Sequence, residues 1–231
     1  MSHFEWRVRR GSGVRAFSDG LVVQGGPPGL LRLWVCRSLS PDAPGAYGLL
    51  GPLAAACTSE GIRRDTGIIS WLHWPDMVTI DGRAAAMTSL SIAQPSRPGG
   101  KAQAVFEISV NCFARRPPSF PPGLRATSIL DVLGVEIDLD LLRDKVLHAL
   151  DWYLAEWERG MGRKLVDRIQ PTISWLGSRV EVRTASGEAL RGTAEALGED
   201  GSLLLKQGGG RGSAGTRAIP AEAVELVRAV K

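Results

Sequence analysis

Three short segments hold the residue types from which a polar site could be built. His73-Trp74-Pro75-Asp76-Met77 puts an imidazole and a carboxylate three positions apart around a proline bend. Arg83 follows the Asp81-Gly82 turn, and Glu107-Ile108-Ser109-Val110-Asn111 alternates an acid, a hydroxyl and an amide with aliphatic residues, so the three polar groups share one face of a strand. Asp76 could ligate a cation, although a turn aspartate bonded to its own loop is the commoner role. His73, set between Trp71 and Trp74, reads as a packed, hydrogen-bonded histidine rather than an acid or base, and Trp74 as core or pocket wall. Gly25-Gly26-Pro27-Pro28-Gly29 forms a turn where backbone can approach a ligand. Cys36, Cys57 and Cys112 have no neighbouring His or Lys to activate them, which argues against thiol catalysis. Their odd number, wide spacing and apolar surroundings argue equally against a disulfide frame or a zinc site.

The rest of the chain must position these residues. Its 231 residues, 44% hydrophobic and 23% charged, have globular composition and suit one large domain with a smaller one. The formal charge of +4 is what a solvated surface carries, and the Arg7, Arg9, Arg10, Arg15 cluster reads as an edge strand guarded by charge rather than a nucleic-acid footprint. Only five of the 28 cations are lysine, and none precedes Lys101. The amino terminus has no apolar stretch resembling a signal peptide, and no run reaches the ~18 apolar residues of a membrane span, so a cytoplasmic protein with neither membrane nor nucleic-acid partner is expected.

Alternation predicts strands from Phe4, at 21–24 and over 30–36, then a strand and hairpin across 67–80, and strands over 84–93 and 102–112, making a largely antiparallel sheet. A helix is predicted over 44–61, with Pro52 marking a kink or a late start. Leu141, Leu142, Val146, Leu147, Leu150, Leu154 and Trp157 form the stripe of an amphipathic helix over 140–158, capped by Asp138 or Asp140, and a shorter helix is expected near 165–169. The proline-rich 114–125 reads as irregular. Beyond Pro171 five short strands separated by glycine turns, with a flexible tip at 208–212, read as a small β-barrel. The domains are therefore placed at 1–173 and 174–231.

In this order the segments resemble the biotin protein ligase family, within the biotin and lipoate ligase superfamily. That family has a Lys-Trp-Pro-Asn-Asp strand end, a Gly-Lys-Lys-x-Ala-Gly hairpin, a Gly-x-Gly-x-Asn strand, an Ala-Thr-Ser-Leu turn, a long helix and a Src-homology-three-like barrel. The matching slots here read His73-Trp74-Pro75-Asp76-Met77, Gly82 to Met87, Glu107 to Asn111, and Ala126-Thr127-Ser128-Ile129. The resemblance spans roughly residues 20 to 231 and implies an α+β fold: a mixed, largely antiparallel sheet with helices, plus the small barrel. It implies biotin, ATP and magnesium as ligands, formation of biotinyl-adenylate, a biotin carrier domain as partner, and a plausible homodimer.

It also implies what has changed. The family's hairpin lysine falls on Ala84, with Arg83 beside it, and a guanidinium does not replace a compact ammonium. Its Asn-Asp pair has become Asp76-Met77, and methionine is a poor ligand for magnesium. Its Ser-Thr-Asn turn has no counterpart, and its arginine-rich adenylate loop has either shrunk to Gly25-Gly26 or left a remnant over 9–15. Only Asn111 survives in the glycine strand, where Glu107 would set a negative charge against an adenylate. Ligand contacts are accordingly expected from Gly25, Gly26, Gly29, His73, Trp74, Asp76, Arg83 and Asn111, with Arg83 and Asp76 as the catalytic candidates and no metal ligand assigned. Three functions follow: a degenerate ligase-like binding or partner protein; a divergent active ligase using Arg83, Asp76 and Arg10 or Arg15; or a binder or transferase of another acyl ligand such as lipoate.

Overall fold

The computed structural model describes residues 19–40, 47–94, 97, 100–114, 120–121, 123–208 and 215–230, together with the backbone of 7–10. The first residues of the expected strand from Phe4, residues 11–15 of the loop remnant, the helix start at Pro44 and parts of the loops over 94–100, 114–125 and 208–212 fall outside them.

A seven-stranded sheet forms the larger unit. Its strands are β1 (Arg7–Arg10), β2 (Leu21–Gly25), β3 (Leu30–Ser38), β4 (Trp71–His73), β5 (Met77–Ile80), β6 (Arg83–Ala93) and β7 (Gln103–Asn111), in the order β1-β2-β3-β7-β6-β5-β4. β1 joins β2 in parallel, and every other neighbouring pair is antiparallel. The strand expected from residue 67 starts only at Trp71, because Gly67 takes a left-handed φ of 74° to cap the preceding helix.

Helix α1 (Leu50–Thr66) shows the late start that Pro52 suggested, since proline is tolerated in a first turn where its missing N–H is not needed. It is buried from Pro52 through Ile62, lying between the sheet and helix α3 (Leu139–Glu158). That sandwich is why its sequence is alanine-rich and only weakly amphipathic. Gly61 lets the helices cross closely: a Cβ there would lie 2.5 Å from Val146 Cγ2 and 3.0 Å from Val146 Cα. Asp138 caps α3 by accepting from the Asp140 and Leu141 N–H groups. A short helix α2 (Ile129–Leu133) was not anticipated, yet its capping box is written in Ser128 and Asp131.

After α4 (Gly162–Ile169), strands β8 (Arg179–Thr184), β9 (Ala189–Leu197), β10 (Leu203–Gln207), β11 (Gly215–Ile219) and β12 (Val224–Ala229) form a five-stranded antiparallel sheet in the order β11-β10-β9-β8-β12. Two aromatic side chains of the β4–β5 hairpin dock this small unit. Trp74, fully buried, donates from Nε1 to the Gly201 carbonyl at 3.1 Å, and His73 Nε2 lies 3.1 Å from the Val227 carbonyl with its ring edge-on to Trp175. Gly201, at φ 84°, closes the contact: a Cβ would stand 2.6 Å from Leu49 Cα. Among the described residues no helix is long and apolar enough to cross a membrane.

Candidate functional site

Side chains paired across an antiparallel ladder share a face, so register shows what each face of the sheet carries. The face against α1 and α3 is aliphatic, with Leu31, Val110 and Ala86 in one row and Val35, Phe106 and Leu90 in another. On the opposite face one row runs Gly25, Arg32, Ser109, Met87, Met77 across five strands. The neighbouring row runs Val23, Trp34, Glu107, Ser89. Chain segments far apart in sequence, among them the glycine turn, the Glu107–Asn111 strand and the proline bend, therefore meet on one surface.

Arg32 dominates it. Its Nε lies 3.2 Å from Ser109 Oγ and 3.4 Å from Glu107 Oε1, and its guanidinium carbon sits 5.7 Å from the centre of the Trp34 ring. The cation is thus neutralised and stacked by its own sheet. Arg32 and Trp34 were not among the expected site residues, although the alternation Leu30-Leu31-Arg32-Leu33-Trp34 already sets both on the non-core side. At the end of the row Met77 is buried and offers a sulfur.

The expected ligand contacts divide into three groups. Gly25, Gly26, Gly29 and Asn111 come together at one edge: the Gly29 carbonyl accepts from the Cys112 and Phe113 N–H groups, both at 2.9 Å, and Asn111 pairs with Leu30. Gly26, at φ 105°, and Gly29, at φ 81°, make a tight turn that few other residues could adopt. The amide of Asn111 is committed to the neighbouring chain, donating to the Thr127 carbonyl and accepting from the Ala114 N–H. His73 and Trp74 form a second group, facing the small unit. Asp76 stands alone at the bend, where its carbonyl accepts from Thr88 N–H at 2.7 Å. Burial pushes the Asp76 carboxyl up to about 6.

Arg83 opens β6 opposite Ile80. The next residue, Ala84, is completely buried and forms an isolated parallel bridge with Ala126, donating to the Arg125 carbonyl and accepting from the Thr127 N–H. This bridge brings Arg83 and Arg125 to neighbouring positions; Arg125 was not anticipated. The thiols agree with the sequence reading: all three are buried, and burial pushes Cys57 well above its ordinary value and Cys112 up to about 12.

Magnesium does not fit this surface. The row offers thioether sulfur where a hard cation needs oxygen, and among the described residues no three His, Cys, Asp or Glu side chains converge.

A helix-backed antiparallel sheet followed by a small five-stranded β unit defines the class: an α+β fold of biotin protein ligase type. Residues 175–221 match the family model for the biotin protein ligase C terminal domain. The biotin protein ligase of Aquifex aeolicus superposes with a TM-score of 0.75 over 92% of this chain and 90% of its own, at 18% identity. The same enzyme in complex with biotin and ATP gives 0.73 over 93% and 91%, also at 18% identity. A biotin protein ligase-like protein of unknown function from Silicibacter sp. TM1040 gives 0.72 over 96% and 98%, at 16% identity. The sequence finds no match among curated proteins.

Proposed function

We propose that the protein is a biotin ligase-like binding protein that does not form biotinyl-adenylate. Carboxylate activation by ATP requires cations held free to neutralise phosphate, in a site that excludes water. The observation that carries the reading is Arg32, which stacks on Trp34 and pairs with Glu107 and Ser109 in the middle of the row. Glu107 adds negative charge where an adenylate would add more. Ala84, the position that the resemblance matches to the family's lysine, is buried and bonded to the 125–127 segment, which supports the reading. In this reading the fold serves a protein partner, for which a biotin carrier domain or a second copy of the chain is the natural candidate, or a small acyl ligand.

The test is turnover by the purified protein of biotin, ATP and magnesium, read as pyrophosphate release and as label on a carrier domain, beside calorimetric titration with a biotinyl-adenylate mimic and with lipoate. No turnover and no heat from the mimic are expected; labelled carrier refutes the proposal. The adjacency of Arg83 and Arg125 favours one second reading, a divergent ligase that uses this pair at the phosphates. Under that reading Arg83→Ala and Arg125→Ala each abolish turnover.

A further inference from the structure

Between the two units lies a cleft of about 760 Å³, bounded by the start of α1 and the turn before it, the bend after β4, residues of β6 from Thr88 to Ile92 and the loops of the small unit. Its volume falls within the ~300–1,000 Å³ of small-molecule sites. Tyr47, Leu90 and Ile92 give it apolar walls, while Asp76, Asp200 and Glu222 supply charge, and the described residues lining it include no Lys, Arg or His. Asp200 is held ionised by Ser202, whose N–H and hydroxyl donate to it at 3.0 and 2.7 Å. Glu222 reaches across to the turn that precedes α1, its Oε2 lying 3.6 Å from where a Cβ on Gly48 would stand.

From this enclosure of apolar walls and one sign of charge, we infer that the cleft between the two units binds a small organic cation, an amine carried on an apolar body. Phosphate-bearing ligands are repelled from the same space, because all three charges facing it are negative. The inference does not rest on the absence of adenylate chemistry: a working ligase would reveal itself by turnover and leave amine binding in the cleft intact.

The experiment is calorimetric titration of the full chain at pH 7.5 with tryptamine, and with indole-3-propionate as the same aromatic body bearing the opposite charge. Saturable binding of tryptamine, at least about tenfold tighter than indole-3-propionate, is expected. Asp76→Asn should weaken tryptamine about tenfold and Glu222→Gln about threefold, the second less because Glu222 is exposed. Glu222→Gln lies at the surface and keeps the fold, so it remains informative if another variant does not. Absence of saturable tryptamine binding, equal binding of the anion, displacement of tryptamine by ATP, or unchanged affinity in both variants overturns the inference.

Discussion

Replacing Asp76 by asparagine should make the protein more stable, and by an amount that depends on pH. The bend that carries Asp76 is largely buried, and desolvation lifts its carboxyl from 3.8 to about 6. A carboxyl whose value is higher in the folded than in the unfolded chain binds its proton more tightly when folded. Stability therefore falls as pH rises from about 4 through 6, and above that window the charged group costs the fold a constant amount. The gap between 3.8 and about 6 corresponds to about 3 kcal/mol at 1.36 kcal/mol per unit. Asparagine keeps the shape and removes the charge, so at pH 7.5 it should recover up to that amount, or roughly 6–12 °C in Tm for a chain of this length. Differential scanning calorimetry of both proteins at pH 4, 6 and 7.5 measures it. The gain should be largest at pH 7.5, smaller at 6 and nearly absent at 4. A gain independent of pH, or none at 7.5, refutes the reasoning, because a counter-charge would then already offset the burial of Asp76.

Other expectations follow from single contacts. Trp74→Phe removes the N–H that satisfies the Gly201 carbonyl and should cost about 1–2 kcal/mol in urea unfolding, with the barrel's amides exchanging faster. Gly61→Ala gains up to about 1 kcal/mol in helix propensity but forces a methyl to 2.5 Å from Val146 Cγ2, so the net effect should be destabilising by about 1–3 kcal/mol; a stabilised variant contradicts the close helix crossing. Ala84→Lys, which sets a lysine at a fully buried position, should lower Tm sharply and yield no adenylate in a pyrophosphate-release assay. A soluble, active Ala84→Lys protein would show that the slot had stayed open.

Most of the architecture can be read from residue order. The stripe from Leu141 to Trp157, the alternation of Leu30 to Cys36 and the glycine turns beyond residue 176 each name their element because local period and burial agree there. The alanine-rich α1 hides its faces, being covered on both sides, and only Pro52 and Gly67 mark its ends. The contacts of the candidate site were not legible in the sequence. That Asp76-Met77 and Glu107 differ from the motifs of the family the chain resembles is visible in one dimension. That Arg32 spends its charge on Glu107, or that Arg83 and Arg125 become neighbours, depends on pairing across strands more than forty residues apart. His73 and Trp74 show the same division: two aromatics at a bend announce burial, but only the docked barrel shows what buries them.

The β4–β5 hairpin has two sets of obligations within five residues. His73 and Trp74 grip the barrel, and Met77, three residues beyond Trp74, ends the row that crosses the open face of the sheet. β4 is three residues long and its strand neighbour is β5, but its central residue, Leu72, is fully buried in the core, so the hairpin is anchored between its two sets of contacts. A change at the bend between Trp74 and Met77 therefore touches the small unit and the open face of the sheet at once.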